Sequence, residues 1–383
     1  MFTEKTPLLS SVCEIVMGQA PDGSSYNTHS NGYPLIAGAG DFGALFPNPG
    51  KFTDAPTKLS HDGDIILCIR ATIGDRNWSD TSYCLGRGVA GLRAKNGKLF
   101  QGYLWHWLGH TAPELKAKGR GATFLQVSKS DIGSLQIPLP PIEEQKRIAA
   151  ILDAADALRV KRRESIAQLD ALLQSTFLDM FGDPVTNPMG WECMPFNKIG
   201  RFLSGSTPSK ERTDYWGGLI PWVSPKDMKV TRINDAIDHV TDLAFEETNL
   251  KVVEPRCVLI VVRGMILAHS FPVAVNQVPV AINQDMKAIV PLTKVNVLFL
   301  LECISLLKRQ ILSEVSTAGH GTKRLDSEAM KKILVPLPPL SLQRRFASIV
   351  EAAESQKARL RAHLDELDAL FASLQSRAFN GEL

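Results

Sequence analysis

Six cysteines are scattered through the 383 residues at positions 13, 68, 84, 193, 257 and 303, and no two form a C-x-x-C pair. The spacing offers neither a disulfide framework nor a zinc ribbon. It suits a reducing compartment in which thiols serve as small buried hydrophobes. Long apolar runs are also missing. The most apolar stretch, Val295–Leu307, is too short to span a bilayer. Met1–Gly18 lacks a signal-peptide layout, with Glu4 and Glu14 in and around a weak apolar run. A soluble, cytoplasmic chain with no membrane partner is the expectation. Charge of one sign is lacking too: 43 Lys and Arg against 40 Asp and Glu leave +3, which neither demands nor excludes nucleic acid. The 44% apolar share excludes a largely disordered chain.

Catalytic motifs are likewise absent. There is no Asn/Asp-Pro-Pro-aromatic motif for methyl transfer to an amino group, and no glycine-rich cofactor loop after a strand. Gly319–Lys323 is too short for G-x-x-x-x-G-K-[ST], and no Pro-Asp plus Glu-x-Lys nuclease pattern occurs. His106-Trp-Leu-Gly-His110 places two histidines on one helix face without the glutamate of H-E-x-x-H. No catalytic residue and no metal ligand is assigned. A metal-dependent hydrolase built on that pair is the weakest of the functions considered.

What is present is a duplication. Ile137-Pro-Leu-Pro-Pro141 recurs as Val335-Pro-Leu-Pro-Pro339, 198 positions later (339 − 141). The offset holds from Gln145/Gln343 through Arg147/Arg345 and Ile151/Ile349 to Leu169-Asp-Ala-Leu172/Leu367-Asp-Ala-Leu370. A match of about forty residues without an indel marks a repeated unit. Consecutive prolines introduce a helix but cannot sit inside one. Beyond them no proline or glycine occurs before Gly182 in the first copy, or before Gly381 in the second. Apolar positions then alternate at spacings of four and three, the seam of a coiled coil. The seam residues are Ile148, Leu152, Ile166, Leu169 and Leu173 in the first helix. In the second they are Phe346, Val350, Leu360, Leu364, Leu367, Phe371 and Leu374. Arg159–Glu164 interrupts the first seam with polar residues, and Arg159 and Arg162 are placed to pair with acids of the opposing helix or to help position a backbone. Helices of about 37 residues would each run roughly 55 Å.

The short linker Gly182-Asp-Pro184 starts the next globular segment at the far end of the first helix, which predicts an antiparallel pair and a pseudo-twofold molecule. The expected class is α/β (α+β): globular domains at 1–141 and 183–339, long spacer helices at 142–182 and 340–383. Both globular segments show the same order. A turn-rich loop (Met17–Asn27; Ser204–Ser209) precedes a short strand (Tyr33–Ile36; Leu219–Val223) and a buried strand (Gly63–Arg70; Cys257–Arg263). A helix (Leu99–His110; Val295–Leu307) and a glycine loop (Gly119–Leu125; Gly319–Leu325) follow. Most side chains differ between the copies, as in two binding units of one design with two targets.

Gly205-Ser-Thr-Pro208, Tyr215-Trp-Gly-Gly-Leu-Ile-Pro-Trp222, Lys226-Asp-Met228, Met17-Gly-Gln-Ala-Pro21 and the twin Pro-Leu-Pro-Pro segments with their Gln-Lys/Arg-Arg carry a resemblance. Over essentially its whole length the chain resembles the specificity subunit of type I restriction–modification systems. The first segment departs from the pattern, with Ser25-Tyr-Asn27 and Gly32-Tyr-Pro34 where the second has Tyr-Trp-Gly-Gly. The resemblance implies two target recognition domains, each reading one half of a bipartite double-stranded DNA site. It implies helices that fix the gap and dock two methyltransferase subunits, with nuclease/translocase subunits joining for cleavage. It places S-adenosylmethionine in the methyltransferase partner, ATP and Mg in the nuclease/translocase partner, and no cofactor in this chain.

DNA is held by Lys and Arg at phosphates and read by Arg, Lys, Asn, Gln, Ser and Thr at base edges. Candidates on loops of the first segment are Gln19, Ser24, Ser25, Asn27, Arg76, Arg120 and Thr123. In the second they are Ser206, Thr207, Ser209, Lys210, Lys226, Lys229, Lys323 and Arg324. Arg70 and Arg263 end matching strands, where they either face DNA or make a structural ion pair. Tyr215, Trp216 and Trp222 are either core or wedges. A protein-binding scaffold without sequence readout is the alternative from another class.

Overall fold

The computed structural model describes residues 6–95, 97–317 and 321–383. Gly319 and His320 of the second glycine loop, and Glu4, lie outside them. Two compact units divide the chain: one takes in the chain up to Glu164 together with Arg361–Leu383, the other Ser165–Leu360. Each unit therefore owns part of both long helices, where the sequence suggested spacers separate from the globular segments.

In the first unit the main sheet is antiparallel throughout, in the order Cys13–Met17, Val89–Ala94, Ile65–Cys68, Arg76–Trp78. Ile65–Cys68 is buried along its whole length, as a run of apolar residues covered on both faces must be. A smaller sheet joins Tyr26–Asn27, Phe52–Thr53, Tyr33–Ile36 and Cys84–Leu85, the last two strands in parallel through Leu35↔Cys84 and Ile36↔Leu85. The helix Gln101–Ala117, longer than the periodicity predicts, packs Tyr103, Leu104, Trp107 and Leu108 into the main core.

The second unit repeats this plan. Its main sheet runs Gly200–Ser204, Met286–Pro291, Val258–Val261, Val273–Asn276, with one added edge strand, Arg232–Ile233. Its small sheet holds Asp238–Val240, Trp216–Val223 and Ala281–Ile282, and the last two again pair in parallel through Trp222↔Ala281 and Val223↔Ile282. The helix Val297–Leu306 starts on Asn296, whose side-chain oxygen accepts from Leu298 N and Phe299 N.

Both long helices, Ile142–Phe181 and Leu340–Phe379, span 40 residues. They end at Gly182 and Gly381 with φ of 75° and 74°, the left-handed cap that glycine adopts without a Cβ clash. Within the first unit the start of one helix runs antiparallel to the end of the other. Ile148 and Leu152 are buried there, and Leu364, Leu367, Phe371 and Leu374 half-buried. In the second unit Leu173, Phe346, Val350 and Leu360 are buried, and Ile166 and Leu169 half-buried. Equivalent cations sit in the two seams. Arg159 bridges Asp156 and Asp368 at 2.6 and 2.5 Å with its guanidinium 4.3 Å from the Phe371 ring, while Lys357 bridges Glu354 and Asp170, both at 2.5 Å.

Two glutamines close the units. Gln145 Oε1 accepts from Phe100 N (2.8 Å), and its Nε2 donates to Lys98 O (3.0 Å) and Pro140 O (2.8 Å). Gln343 makes the same three bonds with Asn296 N (2.8 Å), Lys294 O (3.2 Å) and Pro338 O (2.8 Å). Both side chains are fully buried, and both fix the proline-led start of a long helix to the loop that opens the packed shorter helix.

Candidate nucleic-acid interface

The parallel pairing in the small sheets draws four loops together at one end of each unit. In the first unit the early loop is held by Gln19 N to Leu85 O (2.8 Å). The turn 86–88 bonds to Ile36 O and Ala37 O, and Ile69 N to Gly88 O (2.9 Å). The glycine loop joins through Val127 N to Ile69 O (3.0 Å). The second unit repeats these links as Ser206 N to Ile282 O (3.0 Å), Asn283 N to Val223 O (2.8 Å), Val262 N to Asp285 O (2.9 Å) and Leu325 N to Val262 O (2.9 Å). The early loops need glycine at matching points. A Cβ on Gly18 would stand 2.0 Å from Gly86 O, and one on Gly205 2.1 Å from Asn283 O.

In the second unit these loops border a cleft of about 710 Å³ lined by Asn197, Arg263, Gln284, Lys287, Arg324 and Asp326, among others. Lys287 Nζ donates to Ser204 Oγ (2.9 Å), and Asn283 Nδ2 to Thr207 Oγ1 (3.3 Å). Arg263 faces Asp285 at 3.7 Å yet keeps 60% of its side chain exposed, so the two alternatives drawn for it coexist. Of the predicted residues, Arg324 lines this cleft, and Ser206, Thr207 and Lys323 lie on the loops that border it. Lys323 Nζ donates to Thr317 Oγ1 (2.8 Å), and Arg324 is exposed. Lys226 and Lys229 are exposed on the turn that leaves Trp216–Val223, which Ser224 and Asp227 brace. Ser209 and Lys210, also exposed, lie beside the small sheet, where Trp216 Nε1 donates to Ser209 O (3.1 Å). Tyr215 and Trp222 are buried, Trp216 meets Trp222 edge-on at 5.1 Å, and Tyr215 Oη donates to Glu247 (2.8 Å). These aromatics are core.

In the first unit the face carries Gln19, Arg70, Arg87, Arg120 and Thr123. Arg120 is 83% exposed and touches Asp131 at 3.3 Å. Hydrogen bonds from Ser128, and then Arg120, hold the Asp131 carboxyl below the usual carboxylate range. Ser24 and Ser25 are tied to Asp22 and, for Ser25, to Thr53 (2.7 Å). The Asn27 amide is spent on its own loop, accepting from His29 N and Asn31 N and donating to Asn31 O. Arg76 is a correction. Its guanidinium stacks on Trp105 at 4.4 Å, and burial pushes it down to about 10, because the strand that carries it turns this side chain toward the helix Gln101–Ala117. His106 Nε2 donates to the Asp153 carboxylate (2.7 Å), and His110 lies against Phe379. Among the described residues no group of three His, Cys, Asp or Glu is placed to hold a metal.

Arg87, Gln284 and Lys287 also lie on these faces and were not among the sequence candidates. Arg87 and Gln284 stand on the tight turn before a main-sheet strand and Lys287 is the second residue of such a strand, and nothing in the local pattern sets them apart. Only the parallel strand pairing brings them beside the early and glycine loops.

Two α/β units of one topology, each ending in a polar, cation-bearing cluster of four loops, define a duplicated recognition protein. Residues 5–169 and 188–367 match the type I restriction modification DNA specificity domain, and the chain belongs to that family. It is 41% identical over 152 residues to a Methanocaldococcus jannaschii protein provisionally described as a type I restriction enzyme MjaX specificity subunit, covering 39% of this chain and 36% of that protein. It is 29% identical over 257 residues to the Escherichia coli type I restriction enzyme EcoR124I/EcoR124II specificity subunit, covering 65% and 62%. The chain thus spans about a third and about three-fifths of the length of these relatives. The fold is that of the crystal structure of a type I restriction–modification S subunit from M. genitalium, with a TM-score of 0.58 over 97% of this chain and 95% of that one at 18% identity. Among the described residues no helix is long and apolar enough to cross a membrane.

Proposed function

We propose that this chain is the DNA-reading subunit of a type I restriction–modification complex in the cytoplasm, with no catalytic residue of its own. Each unit reads one half of a bipartite duplex site, and the paired helices set the gap. The observation that carries this is the repetition of the four-loop face on a shared frame with different side chains. Arg87 stands where the second unit has Gln284, and Ala90 where it has Lys287. One scaffold with two chemistries suits two different half-sites.

The helices dock two methyltransferase subunits. Leu172 and Leu370, one repeat apart (370 − 172 = 198), are 53% and 49% exposed, so one apolar contact is offered twice to one kind of partner. S-adenosylmethionine then binds in the methyltransferase chains, and ATP and Mg in nuclease/translocase chains. Because an adenine inside a duplex is out of reach of a methyl donor, base extrusion takes place in the assembled complex. The test is single-molecule sequencing of host DNA for N6-methyladenine with and without the gene. A bipartite motif that vanishes on deletion is the expected result. Loss of no motif, with the neighbouring methyltransferase intact, would turn the weight to a protein-binding scaffold.

A further inference from the structure

Beyond its cations, the four-loop face of each unit presents a large apolar side chain to solvent at the same structural joint. The loop after the central strand is sewn to the glycine loop by Ala71 N to Leu125 O in the first unit and by Gly264 N to Lys323 O in the second, both 3.0 Å. Beside this seam Phe124 is 57% exposed and Leu125 39%. In the other unit Met265 is 62% exposed and Ile266 37%. The two apolar pairs come from opposite members of the loop pair, so the 198-residue offset does not relate them. What the units share is the place.

Water disfavours such side chains, and folding normally turns them inward. Here each is hemmed by charge. The Arg70 guanidinium carbon lies 6.0 Å from the Phe124 ring centre, and Arg120 is 83% exposed on the same loop. Around Met265 stand Arg263, 60% exposed, and the exposed Arg324. An apolar protein surface would have to desolvate these guanidinium groups without paying them back. A base stack between two phosphate rails is complementary to both parts at once.

We propose that Phe124 and Met265 are wedges, one for each half-site, that enter the DNA base stack and open a base step while the neighbouring arginines hold the phosphates. Apolar side chains of these types unstack and kink duplexes in this way. The steps beneath them should be pyrimidine–purine, which open most readily. The inference rests on the DNA-reading function proposed above and adds the mode of contact.

The experiment uses the full-length chain and a duplex carrying its bipartite motif, with 2-aminopurine placed in turn along each half. Binding should raise the fluorescence at one position in each half. Phe124→Ala should abolish the rise in the half read by its unit, leave the other half unchanged, and weaken binding by about tenfold or more, as loss of a stacked aromatic does. Phe124→Trp should retain both signals. Met265→Ala should silence the opposite half. Both side chains are exposed, so the cores are untouched. Wild-type affinity and fluorescence in both alanine variants would overturn the inference. So would tight, sequence-dependent binding of the unaltered chain with no fluorescence rise anywhere, and in that case the DNA-reading function stands. Lost methyltransferase recruitment with DNA binding intact would overturn it in favour of a protein contact. No sequence-dependent binding at all would overturn the function, and the wedge with it.

Discussion

Replacing Gln145 by alanine removes three hydrogen bonds at a fully buried site. Each contributes about 1 kcal/mol net, so the loss begins near 3 kcal/mol. The Phe100 N–H then faces no acceptor in a dry interior, which adds about 1 kcal/mol or more. Nothing else in the geometry offsets this, because Lys98 O and Pro140 O lose their donor in the same step. The bonds hold the start of the first long helix against the loop before Gln101–Ala117. The opening they resist is therefore local, and it is best read by native-state hydrogen exchange. Amides of Leu104–Leu108 should exchange about a thousandfold faster in Gln145→Ala, since about 1.4 kcal/mol is a factor of ten. Gln343→Ala should do the same to Leu300–Ile304 in the second unit, where the three bonds recur. Gln145→Met fills the volume without the polar atoms and should behave like alanine. A change below about threefold, or equal acceleration of both helices by Gln145→Ala, would refute the clamp.

Other outcomes follow from the same geometry. Burial holds His106 below its ordinary value despite its bond to Asp153. Its neutral form therefore favours the fold above the unfolded value of about 6.5, and that stability drains away as pH falls from there through the lower folded value. Thermal melts from pH 7.5 to 5 should show this loss, and His106→Gln should flatten it. Gly18→Ala and Gly205→Ala each drive a Cβ into a backbone oxygen and should cost about 2 kcal/mol or more, each weakening recognition of its own half-site in binding assays. Lys357→Ala removes the nearer of the two cations that face the half-buried Glu354, leaving Arg232 at 3.9 Å, and should cost about 2 kcal/mol in denaturant unfolding, while Lys357→Met of similar volume should cost less. Adding one turn to both long helices should change the gap in the methylated motif and leave its half-sites unaltered, and altered half-sites at a fixed gap would contradict the spacing role.

The frame was legible because it repeats at a fixed offset. Ile148, Tyr103 and Phe379 pack one unit as Phe346, Phe299 and Phe181 pack the other. Two of these three pairs, 148/346 and 181/379, keep the 198 spacing. The identity of Gln145 and Gln343 was visible, but their role was not. Two of the three partners of each lie across a shorter offset (294 − 98 = 196; 296 − 100 = 196), and a buried clamp has no local pattern. The face was harder still. Arg76, Asn27 and Ser25 have the residue types of DNA contacts, yet packing on Trp105 and bonding within the early loop engage them. Lys287 sits inside a strand pattern, where alternation gives no hint that its amine reaches Ser204.

This division has a physical cause. Gln145, Gln343, Gly18 and Gly205 contact backbone, whose geometry is common to both units, so duplication preserved them or their equivalents. Arg87, Gln284, Phe124 and Met265 contact little within their own unit and project from it. Nothing in the frame constrains them, and they differ from one unit to the other. In a duplicated chain, the residues that match across the repeat mark what holds each unit together. Exposed residues that differ at matching places mark where the two units bind different things. The loop joint that bears Phe124 in one unit and Met265 in the other belongs to the second class. The alanine variants at these two positions should accordingly separate the two half-sites with the fold intact, whereas frame variants such as Gly18→Ala and Gly205→Ala reach a half-site only by destabilising their own unit.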